Sequence, residues 1–598
     1  MQKKLAKGIR WNLNDLYSGT DDPRIEKDLA MAETLALEFE KKCRPFFHDT
    51  APLTAGQIAG LLSAYKEIVT CLTRPGCFAQ LVFAEQTNRP GIGAFIQKIR
   101  VRITEIENHI LFWDVEWNRL DDAKVETLVN DPLLQKDRHY LLKLRAYRPF
   151  TLAEKEEKIM SMKANTSSSA FSRLFDEVVN QIPFYVTKGK QRVKKTEGEI
   201  LALLHSANRP ERKMAARSLA EGLEKETHLL AYIFNMILAD RRTSLQIRGY
   251  AHPMDPMNLA NEITLPMVRH LVTSVKRAYP LAQRYYRLKK KLLGLRELYD
   301  YDRYAPAGKD RTQIPFRDCQ KITVEGYRDF SPDAARIVEQ FFTQRWIDAE
   351  IRDGKQGGGF CMETTPDLHP YILVNYTGSI RDVMTVAHEC GHGLHQYLAR
   401  QAGILESHAP LTLAETASVF GEMIIFEKLL KDEKSARKKL ALLCGKIDDN
   451  FATVFRQIVL TDFELKTHEA GLKDGELSSE RVSDLWIEAN RELYGQSVKL
   501  TPEYRHGWKY IPHFIHSPFY CYAYSFAQLF VLTLFQKYKT NPSSFVPRYF
   551  EMLSLGGSRR PEALAELMGL DLQDPNFWQS GIQILEDLVV QAENLYQK

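Results

Sequence analysis

The sequence predicts a mainly α-helical protein with one small β-sheet placed directly before its most informative helix. Apolar residues recur at three-to-four spacing, with charged residues between them, over most of the 598 residues. Two stretches, 183–197 and 299–378, interrupt this pattern with short runs that favour strands. The chain is too long for one ordinary core, so we expect two or more domains or one multi-lobed body.

The N-terminal third is predicted to form a helical lobe that ends at a hairpin. The hairpin covers 183–197 and has Gly189 in its turn. We place a domain boundary there, between an N-terminal helical lobe (1–197) and a catalytic domain (198–598). Helical periodicity in this lobe covers 54–70, 84–118, 122–146 and 152–181.

The rest of the chain is predicted to be helical except for one stretch. Helical patterns run from 198 to about 297 and again from Gly378 to the C-terminus. The stretch between them is rich in Tyr, Gly, Pro and Asp. Its best strand candidates are Phe360–Thr364 and Tyr371–Asn375, which a Pro/Asp turn separates.

Composition argues against several classes of protein. Apolar residues make up 44% and charged residues 26%, which is a globular balance, and a net charge of +5 argues against nucleic acid as the partner. We expect no membrane span, because no uninterrupted apolar run approaches eighteen residues, and no signal peptide. The eight cysteines stand singly without a CxxC pair, which disfavours a cysteine-bound metal and suits reduced thiols in a cytoplasm.

One helix carries the spacing of a metal site. Ser379 and Asp382 have the spacing of a capping box, which predicts a helix start. His388 and His392 follow on this helix, one turn apart on the same face, where both imidazoles can reach one zinc ion at ~2.0–2.1 Å. Glu389, beside the first histidine, can hold the water that the metal activates. The segment therefore predicts a catalytic zinc site.

A third ligand must come from another part of the chain. Metzincins carry a third histidine where this chain has Leu398, so that subclass is excluded. Glu415, which lies twenty-three residues after His392 on a second predicted helix, is the best candidate. Two histidines and one carboxylate leave zinc an open position for water. Alternatively, Glu415 is the capping-box partner of Thr412.

Two neighbours of these ligands have supporting roles in this interpretation. Glu422 lies two turns beyond Glu415 on the same face, where it either orients His388 or His392 or makes a plain surface salt bridge. His395 lies too far along its helix to share the metal comfortably. We interpret it as a residue that supports or packs against the ligands.

Four runs then occur in order along nearly the whole chain: Trp11–Tyr17, the glycine-rich Gly354–Cys361, Gly378–His395 followed by Ala414–Glu422, and Ile511–Ser525. Together they resemble the oligoendopeptidase F branch of the thimet-oligopeptidase family of zinc peptidases. The resemblance implies a two-lobed, prolate helical body of zincin type with a deep substrate channel. It also implies one zinc per chain on the channel floor and endopeptidase cleavage of short peptides, because the channel excludes folded proteins.

The resemblance assigns residues to these roles. It implies zinc ligands at His388, His392 and Glu415, with Glu389 as general base. It further matches His513 and Tyr524 to positions that stabilise the oxyanion and bind substrate, and it leaves substrate-binding roles to His516, Tyr520 and Tyr522. From the residues alone, Ser517–Pro518 predicts a helix start. Tyr520 and Tyr524 would then share a face, while Tyr522 points elsewhere.

The glycine-rich run is predicted to meet the substrate. Gly357, Gly358 and Gly359 precede the first predicted strand, and glycine lets another backbone approach closely. A peptide could add to that strand as an extra edge strand. The alternative is a flexible surface loop.

The expected activity is hydrolysis of internal bonds in short unstructured peptides by a metal-activated water. Alternatives are a carboxypeptidase or aminopeptidase on the same scaffold, and a peptide-binding protein that keeps zinc. The sequence leaves open cobalt or manganese in place of zinc and the oligomeric state, although a monomer is sufficient for the expected chemistry.

Overall fold

The structure is a computed structural model that describes residues 5–47, 53–308 and 313–597. It is mainly helical, as predicted, with a two-stranded hairpin and one three-stranded sheet. The N-terminal elements are α1 (Pro23–Cys43), α2 (Ala55–Glu85), α3 (Pro90–Ile110), α4 (Phe112–Arg119), α5 (Asp122–Val129), α6 (Arg138–Ala146), α7 (Glu154–Ala164), α8 (Ser168–Gln181), β1 (Phe184–Lys188) and β2 (Gln191–Lys195). The next six helices are α9 (Glu197–Leu203), α10 (Arg209–Lys225), α11 (Thr227–Arg248), α12 (Asp255–Ala260), α13 (Leu265–Arg277) and α14 (Tyr279–Leu292).

A sheet and thirteen further helices complete the described chain. The first part holds α15 (Phe316–Phe330), α16 (Pro332–Thr343), β3 (Ile347–Asp348), β4 (Phe360–Met362), β5 (Tyr371–Leu373), α17 (Ile380–Ala399), α18 (Leu411–Ala414) and α19 (Thr416–Asp432). The C-terminal part holds α20 (Ala436–Phe451), a π-helical turn (Ala452–Arg456), α21 (Gln457–Asp474), α22 (Ser479–Tyr494), α23 (His513–His516), α24 (Tyr522–Thr540), α25 (Pro542–Ser554), α26 (Pro561–Leu567) and α27 (Phe577–Gln597).

Several local predictions are confirmed. The hairpin pairs Lys188 with Gln191, and Gly189 has a φ of 63°, which only glycine adopts at little cost. The second sheet has the order β3-β5-β4, with β3 parallel and β4 antiparallel to β5. The strand predicted after the glycines therefore lies at an edge of its sheet.

Other local predictions are wrong. The helical stretches expected over 122–146 and 152–181 are each divided into two α-helices, with breaks after Val129 and Ala164. The helix expected over 84–118 is interrupted after Glu85, because Pro90 lacks an amide hydrogen and begins a new helix instead. The stretch 299–378 also contains α15 and α16, which its Tyr/Gly/Pro-rich composition concealed. The buried positions of α15 are spaced three or four apart at Phe316, Cys319, Thr323 and Tyr327, so periodicity alone would have found it.

By compactness the chain divides into two units. The first comprises Met1–Glu154, Arg311–Leu429 and Lys537–Leu570, and the second comprises Lys155–Asp310, Leu430–Gln536 and Asp571–Lys598. The first unit holds the three-stranded sheet and α17, and the second holds the hairpin and the His/Tyr segment. The domain boundary near residue 197 stays a prediction. Within the described residues, every helix is too short or too polar to cross a membrane.

Candidate active site

The first unit positions α17 by its cap and by its apolar face. The Ser379 hydroxyl accepts from the Asp382 amide, and the Asp382 carboxylate accepts from the Ser379 amide, so the predicted capping box is confirmed. Val383, Val386 and Cys390 are fully buried along one side of the helix. The other side is then left to His388 and His392, which are partly exposed.

Two glycines bring α19 against α17. A β-carbon on Gly391 would lie 2.3 Å from the Ala417 carbonyl oxygen, and one on Gly421 would lie 3.0 Å from the Ala387 oxygen. No larger side chain fits at these two contacts. No sequence pattern indicates this pair, although Gly391 stands in the run Gly378–His395 and Gly421 in the run Ala414–Glu422. Their close approach carries Glu415, the residue directly before α19, to the two histidines.

The three predicted ligands converge on one point. His388 Nε2 lies 3.2 Å from His392 Nε2, and these two atoms lie 3.3 and 3.4 Å from Oε2 of Glu415. A zinc ion bound at ~2.0–2.1 Å with tetrahedral angles separates its ligand atoms by about 3.3–3.4 Å. The triangle therefore fits a zinc ion held by two nitrogens and one oxygen. Among the described residues these three form a group able to hold a metal ion.

The ligands are themselves held by hydrogen bonds. His388 Nδ1 lies 2.6 Å from Oε1 of Glu422, and Ser418 Oγ donates to Oε2 of Glu415 at 2.6 Å. Glu422 thus makes the contact to His388 that was one of its predicted alternatives. Ser418 was not predicted, although it stands one helical turn after Glu415. These partners orient the ligand atoms toward the centre of the triangle.

The capping alternative for Glu415 is wrong. The short helix α18 has Pro410 at its N-cap, and the buried hydroxyl of Thr412 has no hydrogen-bond partner in the described part of the chain. The continuous helix expected over 413–422 is also broken at Glu415, which is the C-cap of α18. This break turns the Glu415 side chain toward the histidines.

The charged groups of the triangle shift one another's pKa values. Burial lowers the pKa of His388, but the hydrogen bond to Glu422 and the charges of Glu422 and Glu415 outweigh burial and raise it to about 9. Burial raises the pKa of Glu415, but the hydrogen bond and charge of His392 lower it to about 2. Burial also raises the pKa of Glu389, against the charges of the two histidines. A metal ion would have to displace the proton on His388, because metals bind neutral imidazole.

Glu389 lines the same cavity as the three ligands, but one of its carboxylate oxygens lacks a hydrogen-bond partner among the described residues. The residue is 6% exposed, and within the described residues its Oε2 has no hydrogen-bond partner. A buried carboxylate oxygen without a partner is costly. A water beside a metal ion would satisfy this oxygen, so the observation supports the fit of the site to a metal.

A cavity of about 310 Å³ opens beside the triangle. Gly359 and Phe360 line it from the start of β4, and His395 lines it from α17. A β-carbon on Gly359 would lie 3.1 Å from Oε1 of Glu389. Gly357 has open space around it, and Gly358 has a φ of 80°. Burial, followed by the charge of His392, lowers the pKa of His395 to about 4, so His395 is neutral at neutral pH.

The second unit gathers three of the predicted His/Tyr residues. His513 Nε2 lies 3.3 Å from the Tyr524 hydroxyl, and the ring centroids of Tyr520 and Tyr524 are 4.9 Å apart. The His513 ring stacks at 5.8 Å on that of Tyr520. Burial, and then the charge of Arg456, lowers the pKa of His513. We call His513, Tyr520 and Tyr524 the His/Tyr cluster.

The other two residues of the segment lie elsewhere. The Tyr522 ring is fully buried, and its hydroxyl donates to Oδ1 of Asn258 at 2.8 Å and accepts from Nδ2 of Asn261 at 3.1 Å. His516 Nε2 lies 2.8 Å from Oδ1 of Asp176, and both side chains are well exposed. The structure therefore does not bring Tyr522 or His516 into the His/Tyr cluster.

The helix start predicted at Ser517–Pro518 is wrong. The helix begins at Tyr522. Phe519 adopts a φ of 65°, which is not helical and separates α23 from α24. A π-helical turn, which sequence analysis also missed, supports this junction. The hydroxyl of Ser525, next to Tyr524, donates to the Val454 carbonyl of that turn at 2.8 Å.

Comparisons with known proteins identify related peptidases. The model of peptidase family M3 matches residues 202–584, and the oligopeptidase F model matches residues 116–184. An oligoendopeptidase F homolog of Borreliella burgdorferi is 25% identical over 605 residues, which cover 100% of both chains. A second homolog, from Lactococcus lactis, is 28% identical over 463 residues and 77% of each chain.

Solved structures share the fold. A putative peptidase from Chlamydophila abortus superimposes with a TM-score of 0.82 at 23% identity, covering 98% of this chain and 100% of that one. Oligoendopeptidase-F from Enterococcus faecium gives a TM-score of 0.73 at 21% identity, covering 96% and 99%. The family model covers well over half of the sequence and includes every residue of the triangle. The chain therefore belongs to peptidase family M3, in its oligoendopeptidase F branch.

Proposed function

We propose that this peptidase is a zinc-dependent oligoendopeptidase, which hydrolyses internal bonds of short unstructured peptides. The observation that carries the proposal is the triangle of His388, His392 and Glu415 atoms with edges of 3.2–3.4 Å. Two imidazoles and one carboxylate are the ligand set of catalytic zinc sites, which keep a position open. One zinc per chain would be held by these three residues. When bound, zinc supplies a Lewis acid that polarises the scissile carbonyl and lowers the pKa of water to ~7.

Glu389 is the proposed general base. Its carboxylate is buried next to the ligands, and burial raises its pKa above the ordinary range of a glutamate. A raised pKa makes the group a better proton acceptor at neutral pH. Glu389 would take the proton of the water that attacks the scissile carbonyl. The same carboxyl group would then deliver this proton to the leaving amine.

Strand β4 is the proposed support for the substrate backbone. It is an edge strand of its sheet, and its first residue lines the cavity beside the triangle. An extended peptide that pairs with an edge strand is held by main-chain hydrogen bonds, which require little of its sequence. Gly357, Gly358 and Gly359 would leave room for that backbone, because none of them presents a side chain.

The His/Tyr cluster is the proposed source of the oxyanion donors. The resemblance of its segment to the oligoendopeptidase F family supports roles for Tyr524 and His513 at the tetrahedral intermediate. The Tyr524 hydroxyl would donate to the developing oxyanion, and His513 would assist. Tyr520 packs on both residues and would contribute to substrate binding. We also propose a cytoplasmic location, where the eight free thiols would stay reduced.

A carboxypeptidase or aminopeptidase on the same scaffold is the second candidate. The two are distinguished by mass analysis of products from a pool of ten-residue peptides with free or blocked termini, with and without chelator. We expect internal cleavage that is independent of the terminal groups, lost with chelator, and restored by zinc. Loss of cleavage only when one terminus is blocked would support the exopeptidase instead. A folded, well-packed domain should resist digestion under the same conditions.

Two substitutions test the assignment of ligands and base separately. Glu415→Ala should empty the site, whereas Glu389→Gln should retain one metal per chain and lose turnover, because an amide cannot accept a proton. Metal content and kcat are measured on the same samples, with zinc, cobalt and manganese each added back. Full activity of Glu389→Gln, or stoichiometric zinc in Glu415→Ala, would overturn the proposal.

A further inference from the structure

A basic groove lies in the second unit, and its lining includes no residue of the triangle or of the His/Tyr cluster. It has a volume of about 680 Å³ and runs between the hairpin and helix α10. Strand β1 contacts this helix directly through a hydrogen bond, which the Tyr185 amide donates to Ser218 Oγ at 2.9 Å. The two walls of the groove are therefore fixed relative to each other by direct contacts.

The charge of the groove is one-sided. Four cations line it, and Glu221 is the one carboxylate among its lining residues. The cations are Arg192, Arg209, Lys213 and Arg217. The hairpin also carries the exposed side chains of Lys188, Lys190 and Lys194, although none of them lines the groove. The whole chain has a net charge of only +5, so positive charge is concentrated at this surface.

Internal partners neutralise only part of this charge. Arg209 donates from Nε and Nη2 to the two carboxylate oxygens of the fully buried Asp302. Arg217 Nε lies 3.5 Å from Oε1 of Glu221. The Arg192 guanidinium stacks over the Tyr185 ring, 4.1 Å from its centroid. Within the described residues it makes no ion pair with a carboxylate. In the described part of the chain, Lys213 makes no ion pair. The groove therefore has cations on both walls that a ligand can reach.

From these observations we propose that the groove binds an acidic segment of a polypeptide. Glutamate and aspartate side chains carry the charge that the two walls lack, and the planar guanidiniums of Arg192 and Arg217 match carboxylates geometrically. The binding would be electrostatic and would weaken with salt. It involves none of the three residues of the triangle.

The aromatic residues of the groove favour a peptide over a single-stranded nucleic acid. Stacking platforms for bases need an open ring face. One face of Tyr185 is covered by Arg192, and Tyr301 is 7% exposed and stacked on Tyr299 with ring centroids 5.4 Å apart. The groove thus offers charge without a free aromatic surface.

Fluorescence anisotropy with a labelled hexaglutamate peptide and the full chain tests this proposal. Chelator is present, so that the readout is binding and not turnover, and a failure here leaves the proposed peptidase activity untouched. We expect saturable binding that weakens at least fivefold in Lys213→Glu and again when salt is raised from low to physiological concentration. Arg192→Ala, on the opposite wall, provides a second variant and should also weaken binding.

The matched control is Lys225→Glu. Lys225 is an exposed lysine in the last turn of the same helix, outside the groove, and its substitution changes the net charge by the same amount. It should alter the dissociation constant less than twofold, with melting temperatures measured for all variants. Three results would overturn the proposal: no saturable binding, equal weakening by Lys213→Glu and Lys225→Glu, or tighter binding of a labelled oligothymidine than of hexaglutamate.

Discussion

Glu422 fixes the ring of His388 through a hydrogen bond of 2.6 Å between its Oε1 and the Nδ1 of the histidine. The carboxylate accepts a hydrogen bond from Nδ1–H, which leaves Nε2 directed at His392 and Glu415. Because Glu422 stands on α19 and His388 on α17, the same contact also links the helix that carries both histidines to the helix that directly follows Glu415.

Glu422→Ala should therefore weaken metal binding without abolishing it. Loss of a carboxylate that orients a ligating histidine typically costs ~10–100-fold in metal affinity. Competition with a chromophoric chelator measures the zinc affinity. The control is Glu427→Ala on the same helix, whose carboxylate pairs with Lys539 at 2.6 Å instead. If both variants bind zinc like the parent protein, Glu422 does not support the site.

Gly359→Ala should impair turnover through Glu389. A β-carbon at this position would lie 3.1 Å from the Glu389 Oε1 and 3.3 Å from the Thr385 side chain, so the carboxylate has to move. Displacing a catalytic group by a fraction of an ångström to 1 Å costs ~10–100-fold in rate. We expect kcat to fall by about tenfold while the zinc content stays at one per chain.

The matched control for this change is Gly357→Ala. A β-carbon there meets nothing within 4 Å, and neither glycine has a positive φ. Steady-state kinetics on one fluorogenic peptide compare the two variants. Equal losses of kcat in both variants would indicate that the glycines matter only for loop flexibility. Unchanged kcat in both would show that the residue at position 359 does not affect the Glu389 carboxylate.

Tyr524→Phe should lower kcat with little effect on KM or zinc. Removal of one oxyanion donor typically costs ~10²–10³ in kcat, and a donor used only in the transition state leaves substrate binding nearly unchanged. Tyr522→Phe is the natural control, since its hydroxyl is buried between Asn258 and Asn261. That variant should lose ~1–3 kcal/mol of stability and keep its kcat. The reverse outcome would transfer the catalytic role to Tyr522.

Local patterns explain why much of the site was predictable. The capping box at Ser379 and the four-residue spacing of His388 and His392 depend on neighbours within one or two helical turns. The position of Glu415 was inferred from the chemistry of zinc, but its placement depends on two glycine contacts between separate helices. Contacts of that kind have no periodic signature, so Gly391 and Gly421 went unnoticed.

Phe519 shows where local reasoning fails. Pro518 is a good first residue for a helix, yet the chain turns at Phe519 with a φ of 65° and the helix starts three residues later. The Phe519 amide donates to Oε1 of Glu464 at 2.7 Å. Glu464 is fifty-five residues away in sequence, so no propensity of the local segment could have indicated this turn.

The burial of Glu464 makes stability depend on pH. Burial raises the pKa of Glu464 to about 8, although the hydrogen bond from Phe519 and the charge of Arg241 oppose the shift. Between the unfolded pKa of ~4.3 and this value, the folded protein keeps a proton that the unfolded chain releases. The contribution of Glu464 to stability is therefore complete below that window and is lost as pH rises through it.

Glu464→Gln should remove this dependence, because glutamine imitates the protonated acid and keeps an oxygen for the Phe519 amide. We expect the melting temperature of the parent protein to fall relative to that of Glu464→Gln as pH rises from 5 to 8. The difference in free energy of unfolding between the two proteins should change by at most ~1.4 kcal/mol per pH unit. Thermal unfolding at several pH values measures it, with Glu469→Gln, an exposed glutamate on the same helix, as the matched control. A difference in stability between Glu464→Gln and the parent protein that is as independent of pH as that of Glu469→Gln would contradict this prediction. It would mean that Glu464 is not protonated in the folded state and that a carboxylate holds the turn at Phe519.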